Sequence, residues 1–263
     1  MNLQFFKYQG AGNDFILVDD RSAVFDVSNQ ELIEQLCDRR FGIGADGLML
    51  LRSSEAYDFT MLYFNADGRE GSMCGNGGRC IVAFANDLGL IKEQTVFDAV
   101  DGQHDATISN TRDAYWVSLG MIPVNQIEKI GQDGFLDTGS PHYVRHVEDL
   151  TGMDVFQEGK KIRNNERFQL VGTNVNFISV NQDKSLSIRT YERGVEDETL
   201  ACGTGVTAAA IYAKYVGLLD QTHINVHALG GDLKVSFNEN NGCYSNVRLE
   251  GPAKFVFKGE INV

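Results

Sequence analysis

Two cysteines stand in matched settings, Cys74 in MCGNGGRC and Cys202 in ACGTGVTA. In each, the thiol precedes a glycine, a small polar residue and a second glycine, where the chain turns helical. Glycine permits close backbone approach, and the N–H groups at a helix start have no partner within the helix. Such a terminus carries partial positive charge and binds carboxylates or phosphates. It also lowers the pKa of a thiol beside it and so raises the thiolate fraction available as a base. If two such termini face each other across a cleft, a carboxylate fits between them and each sulfur approaches the α-carbon from an opposite side. That arrangement suits removing a proton from one face and returning it on the other. A phosphate loop is the obvious rival, but neither GxGxxG nor GxxxxGK(S/T) occurs at these helix starts. No lysine sits in a recognisable pyridoxal-phosphate context, and the five histidines lack metal-ligand spacing on a helix, so neither cofactor nor metal is expected.

The segments that carry these cysteines look like copies of each other. At a separation of 128 residues, 73–90 and 201–218 share Cys74/Cys202, Gly75/Gly203, Gly77/Gly205, Ala85/Ala213, Gly89/Gly217 and Leu90/Leu218. Upstream at the same separation, Tyr63 matches Tyr191 and Glu70 matches Glu198. A weaker echo links GAGNDFILV (10–18) with GTNVNFISV (172–180). Two echoes in one order indicate a duplicated domain with its seam near 119–124. The expected halves are 1–120, carrying Cys74, and 121–263, carrying Cys202, with the last strand free to pack back on the first half. Strand-like runs rich in β-branched and aromatic residues recur at 15–18, 58–64, 114–119, 177–180, 186–191, 224–226 and 254–257. Three helices are expected, two starting just after the cysteines. The third carries a Ser28/Glu31 capping box and an apolar face of Leu32, Ile33, Leu36 and Cys37. Each half then reads as an α+β unit, strand-rich with one principal helix.

Bulk properties narrow the function. A net charge of -13 argues against a nucleic-acid partner, which requires concentrated Lys and Arg. No apolar run is long enough to span a membrane, and the first residues lack the apolar stretch of a signal peptide. The five cysteines, at 37, 74, 80, 202 and 243, form no CxxC pair, which favours reduced thiols in a cytoplasm over a disulfide framework. Cys37, Cys80 and Cys243 read as small buried hydrophobes.

Six ordered motifs then identify a resemblance: KYQGAGNDFILVD (7–19), DRRFGIGADG (38–47), FNADGREGSMCGNGGRC (64–80), TGSPHYV (138–144), GTNVNF (172–177) and YERGVEDETLACGTG (191–205). The chain resembles diaminopimelate epimerases from end to end. The resemblance implies two similar domains, each a β-sheet wrapped on a central helix, with the active site in the cleft between them. It implies interconversion of LL- and meso-diaminopimelate without cofactor or metal, in lysine and peptidoglycan-precursor synthesis. Cys74 and Cys202 would be the two bases, one thiolate and one thiol in each direction. Gly75, Asn76, Gly203 and Thr204 would hold the reacting carboxylate through backbone amides. Asn13, Asn65, Asn174 and Arg193 would read the distal amino and carboxylate groups, the arginine by its planar fork. His142 and Glu192 would assist the thiols' proton transfers. A homodimer is a possible assembly.

Three departures accompany the match. Ser140 stands where the family most often has Asn, Gln9 replaces the more usual His, and VEDETL is one residue longer than the common spacing, which loosens the carry-over to Glu198. Two other readings of the residues stay open. One is a proline- or hydroxyproline-type racemase of the same fold, disfavoured because Asn76 follows CG where that family typically has His and because Arg193 suits a second carboxylate. The other is a non-catalytic small-molecule binding protein, disfavoured by the two intact thiols.

Overall fold

The computed structural model describes residues 2–263 and divides into two compact units. The first runs up to Leu119 and includes Gly251–Val263; the second is Gly120–Glu250. The first contains β1 (Asn2–Gly10), β2 (Asn13–Asp19), α1 (Gln30–Cys37), β3 (Gly47–Arg52), β4 (Phe59–Asn65), α2 (Gly75–Asp87), β5 (Gln94–Ala99), β6 (Gly102–Asn110) and β7 (Tyr115–Gly120). The second contains β8 (Glu128–Ile130), β9 (Asp133–Asp137), β10 (Pro141–His146), α3 (Val155–Arg163), β11 (Asn174–Val180), β12 (Leu186–Glu192), β13 (Asp197–Thr199), α4 (Gly203–Tyr215), β14 (His223–Ala228) and β15 (Gly231–Asn240). The final strand, β16 (Cys243–Asn262), serves both. Its start pairs with β15, and its end pairs with β1 from Gln9↔Lys254 to Asn2↔Asn262. Among the described residues, no helix is long and apolar enough to cross a membrane.

The two units follow one wiring scheme. β2 and β3 are parallel neighbours on either side of α1, as β10 and β11 are on either side of α3. β4 and β5 run parallel around α2, as β12 and β14 do around α4. Antiparallel pairs join the other neighbours, including β3/β4, β11/β12, β5/β6 and β14/β15. The chain is therefore a pseudo-symmetric α+β duplication, each unit a sheet wrapped around one central helix.

The central helices differ from the outer ones in what they bury. Every residue from Gly75 to Ala85 of α2 and from Gly203 to Ala213 of α4 is buried. A helix without a solvated face must be enclosed, and α2 packs on β1, β2, β3 and β6 while α4 packs on β9 to β12, β14 and β15. Each ends at a glycine with positive φ, Gly89 at 72° and Gly217 at 76°. The following amides close on earlier carbonyls, Leu90 N on Ala85 O and Leu218 N on Ala213 O. α1 and α3 instead cover the opposite sheet faces, with Ile33, Leu36 and Cys37 against Ile16, Leu48 and Phe64, and Val155 and Ile162 against Tyr143, Phe177 and Tyr191. Strands covered on both faces become continuous apolar runs, which explains FILV in β2 and GLMLL in β3.

Several expectations require correction. α1 is capped by Asn29, whose side chain accepts from Leu32 N at 3.1 Å, because the Ser28 hydroxyl is engaged by Asp26. α3 is a fourth helix, capped by Asp154. The echo between 10–18 and 172–180 joins strands in different places, since the counterpart of β2 is β10. Tyr63 and Tyr191 are also not equivalent. The ladder pairs Met49 with Tyr63 and Asn176 with Thr190, and Cβ atoms built on Gly77 and Gly205 would strike Met49 and Asn176 respectively. Tyr191 therefore corresponds to Phe64, and the one-residue difference turns Tyr63 towards Phe15 while Tyr191 faces the α3 core. Glu70 and Glu198 do correspond, for they bridge to Phe64 and Tyr191. Cys37 and Cys80 are buried, but Cys243 is exposed at the turn between β15 and β16.

Phe84 is fully buried on α2, with its ring 4.9 Å from Phe6 and 5.8 Å from Tyr8. Phe84→Ala is expected to cost about 3–5 kcal/mol, as large-to-small core changes do. Denaturant titration checks this, and a loss below about 1 kcal/mol would mean the helix is not held by enclosure.

Candidate active site

The first unit builds its site from the start of α2. Cys74 is the N-cap, with φ -109° and ψ 111°, and its sulfur accepts from Gly77 N at 3.4 Å. The turn lies so close to β3 that a Cβ on Gly77 would come 1.9 Å from Met49 Cε. Asn13, at the start of β2, brings its Oδ1 to 3.8 Å from Cys74 Sγ and accepts from Asn76 Nδ2 at 3.4 Å. Its own amide donates to Asp46. Arg79 is fully buried one turn along and donates to Gly75 O (3.2 Å), Asn76 Oδ1 (3.0 Å) and Pro252 O (3.3 Å). Burial pulls its pKa down to about 10, which still leaves it charged at neutral pH. Asn65 closes β4 with its side chain beside Gly71. The structure thus gathers Cys74, Gly75, Asn76 and Asn13, and leaves Asn65 exposed at the end of β4.

The second unit gathers the other residues. Cys202 is the N-cap of α4, with φ -112° and ψ 111°, within a few degrees of Cys74. Its sulfur lies 3.5 Å from Thr204 Oγ1, and the Thr204 carbonyl accepts from Thr138 Oγ1 at 2.8 Å. Gly203 and Thr204 are buried. Asn174 accepts from Arg193 N at 2.9 Å and donates to Ser140 Oγ (3.2 Å) and Pro141 O (3.1 Å). Arg193 also donates to Ser140 Oγ at 3.3 Å, so the serine joins these two side chains. Glu192 accepts from Thr199 Oγ1 at 2.8 Å. Glu198 forms a two-point ion pair with Arg189, at 2.6 and 2.8 Å. His142 is fully buried on β10, and burial, with Arg193 second, pushes its pKa down to about 3. It is a neutral imidazole at physiological pH.

The family model for diaminopimelate epimerase matches residues 5–124 and 134–256, one segment in each half of this duplicated layout. The chain belongs to the diaminopimelate epimerase family. It is 50% identical to the diaminopimelate epimerase of Flavobacterium psychrophilum over 98% of this chain and 100% of the relative. It is 44% identical to that of Chlorobaculum tepidum over 97% and 99%. A hydroxyproline epimerase from Agrobacterium vitis shares the fold, with a TM-score of 0.76 at 13% identity, covering 99% of this chain and 92% of that one.

Within this family framework, two neighbours of the expected residues escaped the sequence reading. Arg79 is a cation directly before the apolar run CIVAFA, on a helix with no solvated face there, and that misfit is the signal that could have found it. Asn176, in GTNVNF, reads as an ordinary strand position, yet it is fully buried and bonded to His142.

The His142 shift has a stability consequence with a definite sign. Between about 6.5 and about 3 the unfolded chain binds a proton on this residue that the folded chain does not, so this contribution to stability is lost as pH falls through that window. The expected slope is about 1.4 kcal/mol per pH unit. Urea unfolding of His142→Gln between pH 4 and 7 should show a shallower acid loss than the unsubstituted protein. Equal slopes would mean that His142 titrates normally.

Proposed function

We propose that this chain interconverts LL- and meso-diaminopimelate without a cofactor, in lysine and peptidoglycan-precursor synthesis. The observation that carries the reading is the pair of cysteine N-caps, each at a buried helix start in a chain of this family. On this reading the two units are the halves of the enzyme, and each supplies one of the two cysteines. The thiolate of one cysteine takes the α-proton and becomes a thiol. The thiol of the other gives its proton to the opposite face and becomes the thiolate, so charge and protons balance and the second direction uses the reversed pair.

The α-proton of an amino acid is weakly acidic and a thiolate is a modest base. Amides at the helix starts, from Gly75, Asn76, Gly203 and Thr204, would stabilise the charge that develops on the carboxylate. Closure around the substrate would exclude water and fix both sulfurs in line. Asn13, Asn65, Asn174 and Arg193 would bind the distal end, with Ser140 as a further polar contact there. His142 and Glu192 would support the thiols. The cytoplasm, where thiols stay reduced, is the compartment this chemistry needs. A homodimer is the proposed assembly, and Phe255, Val256 and Phe257, exposed on β16, are apolar side chains it would bury. Sedimentation velocity checks the dimer; a single monomeric species at micromolar concentration would sink it.

The decisive test follows the α-proton by NMR in deuterium oxide, with LL-diaminopimelate and proline offered separately. Loss of the signal with appearance of the meso isomer is expected for diaminopimelate alone. Exchange with proline alone would move the assignment to a proline-type racemase, and exchange with neither would leave a binding protein. Cys74→Ala and Cys202→Ala should each abolish turnover, by at least about 100-fold. Appreciable epimerisation by either variant would refute the two-base scheme.

A further inference from the structure

A polar trio in the second unit is not demanded by the fold. His142 on β10, Asn176 on β11 and Thr190 on β12 are all buried. The ladder registers place Phe15, Met49 and Tyr63 at the corresponding positions of the first unit: Phe15 pairs with Gly47 and Met49 with Tyr63, as His142 pairs with Asn174 and Asn176 with Thr190. The same architecture therefore stands with a phenylalanine, a methionine and a tyrosine there. Buried polar groups cost free energy unless fully bonded, so the trio is retained for something other than packing.

Its hydrogen bonds allow one arrangement of protons. Asn176 Nδ2 lies 3.0 Å from the Tyr143 carbonyl and 3.1 Å from His142 Nδ1. Asn176 Oδ1 accepts from Thr190 Oγ1 at 3.0 Å. The Tyr143 carbonyl only accepts, which fixes which end of the amide is nitrogen. The second amide hydrogen then points at His142 Nδ1, which must present its lone pair. The ring proton of the neutral imidazole is left on Nε2, and that atom is buried without a hydrogen-bond partner among the described residues. The amide also abuts the start of α4, since a Cβ on Gly205 would lie 2.4 Å from Asn176 Oδ1 and 3.4 Å from Cys202 Cβ. Arg193, just past β12, is the charged group facing the ring.

We propose that Asn176 is a positioning residue that holds His142 as the neutral Nε2–H tautomer, so that His142 serves the reaction as a hydrogen-bond donor to an anion at the start of α4 and not as the base that deprotonates a thiol. The amide acts through the ring, as the partner of a catalytic histidine fixes its tautomer. The role in turnover rests on the epimerase reading, but the tautomer is a property of the resting protein.

Protein labelled with 15N-histidine, studied by long-range proton–nitrogen correlation, reads the tautomer directly. The ring signal missing from His142→Gln identifies the residue. Expected is an unprotonated Nδ1 and a protonated Nε2, unchanged from pH 5 to 8; a protonated Nδ1, or titration within that range, would overturn the proposal. In Asn176→Asp, a carboxylate accepts at Nδ1, so the proton should move there and kcat fall by about 100-fold or more with KM little changed. Retention of the Nε2–H form in that variant, or of full kcat with the form switched, would also overturn it. Should the variant fail to fold, the spectrum of the unsubstituted protein decides alone. Absence of α-proton exchange with a correct tautomer would instead count against the epimerase reading.

Discussion

The constraint on which each unit depends is that a helix begins inside its sheet. The first N–H groups of any helix lack intrahelical acceptors, and burying them away from water is costly unless something answers them. Side chains cannot crowd in, because the turn lies against the strands beneath. Glycine is required at Gly77 and Gly205, where a Cβ would meet Met49 and Asn176. Once the helix start is fixed, the enclosing strands must run parallel on either side of it and the apolar residues must continue around its whole circumference, as they do from Gly75 to Ala85 and from Gly203 to Ala213. A group that brings negative charge to such a place relieves the cost, and a thiol at the N-cap is well sited to share in it.

The two units meet that constraint with different chemistry. Arg79 follows Cys74 by five residues and is a buried cation bonded to neutral oxygens among the described residues, two of them from the first turn of its own helix. The matching position in α4 is Thr207, which merely bonds back to Gly203 O at 3.1 Å. The second unit instead has His142, Asn176 and Thr190 beneath the helix, where the first has Phe15, Met49 and Tyr63. Duplication supplied two equivalent frames, and divergence gave one a fixed charge and the other a fixed dipole. Thiols in such unlike surroundings are not interchangeable, whatever symmetry the backbone keeps.

The sequence exposed the parts of this design that repeat. The cysteines, their glycines and the closing Gly89 and Gly217 recur at one spacing because backbone geometry permits little else there. The strands were less legible. β3 reads GLMLLR, whose leucines and methionine suit a helix equally well, and only burial on both faces makes it a strand. α3 hides behind VFQEGKKIR, a polar surface helix whose apolar contacts are few. Tyr63 and Tyr191 are identical residues on opposite faces, a difference that one inserted residue creates and that counting alone does not reveal. Of the site, the residues at each helix start were readable from local pattern. The trio of His142, Asn176 and Thr190 was not, since it is assembled by pairing three strands far apart in the chain.

The last strand ties the order of synthesis to the interior of the first unit. Asn2 waits for Asn262, and the guanidinium of Arg79 waits for the carbonyl of Pro252. A nascent chain that has already made α2 thus carries a buried cation short of one acceptor, with an open edge on β1, until β16 has been made. Loop closure over that span is slow, and an unpaired edge invites association with other chains. The second unit has all of its own strands up to Glu250 before that moment. Folding during translation would then close the first unit only after the second had been made, and loss of the later part of β16 would injure the unit that contains β1.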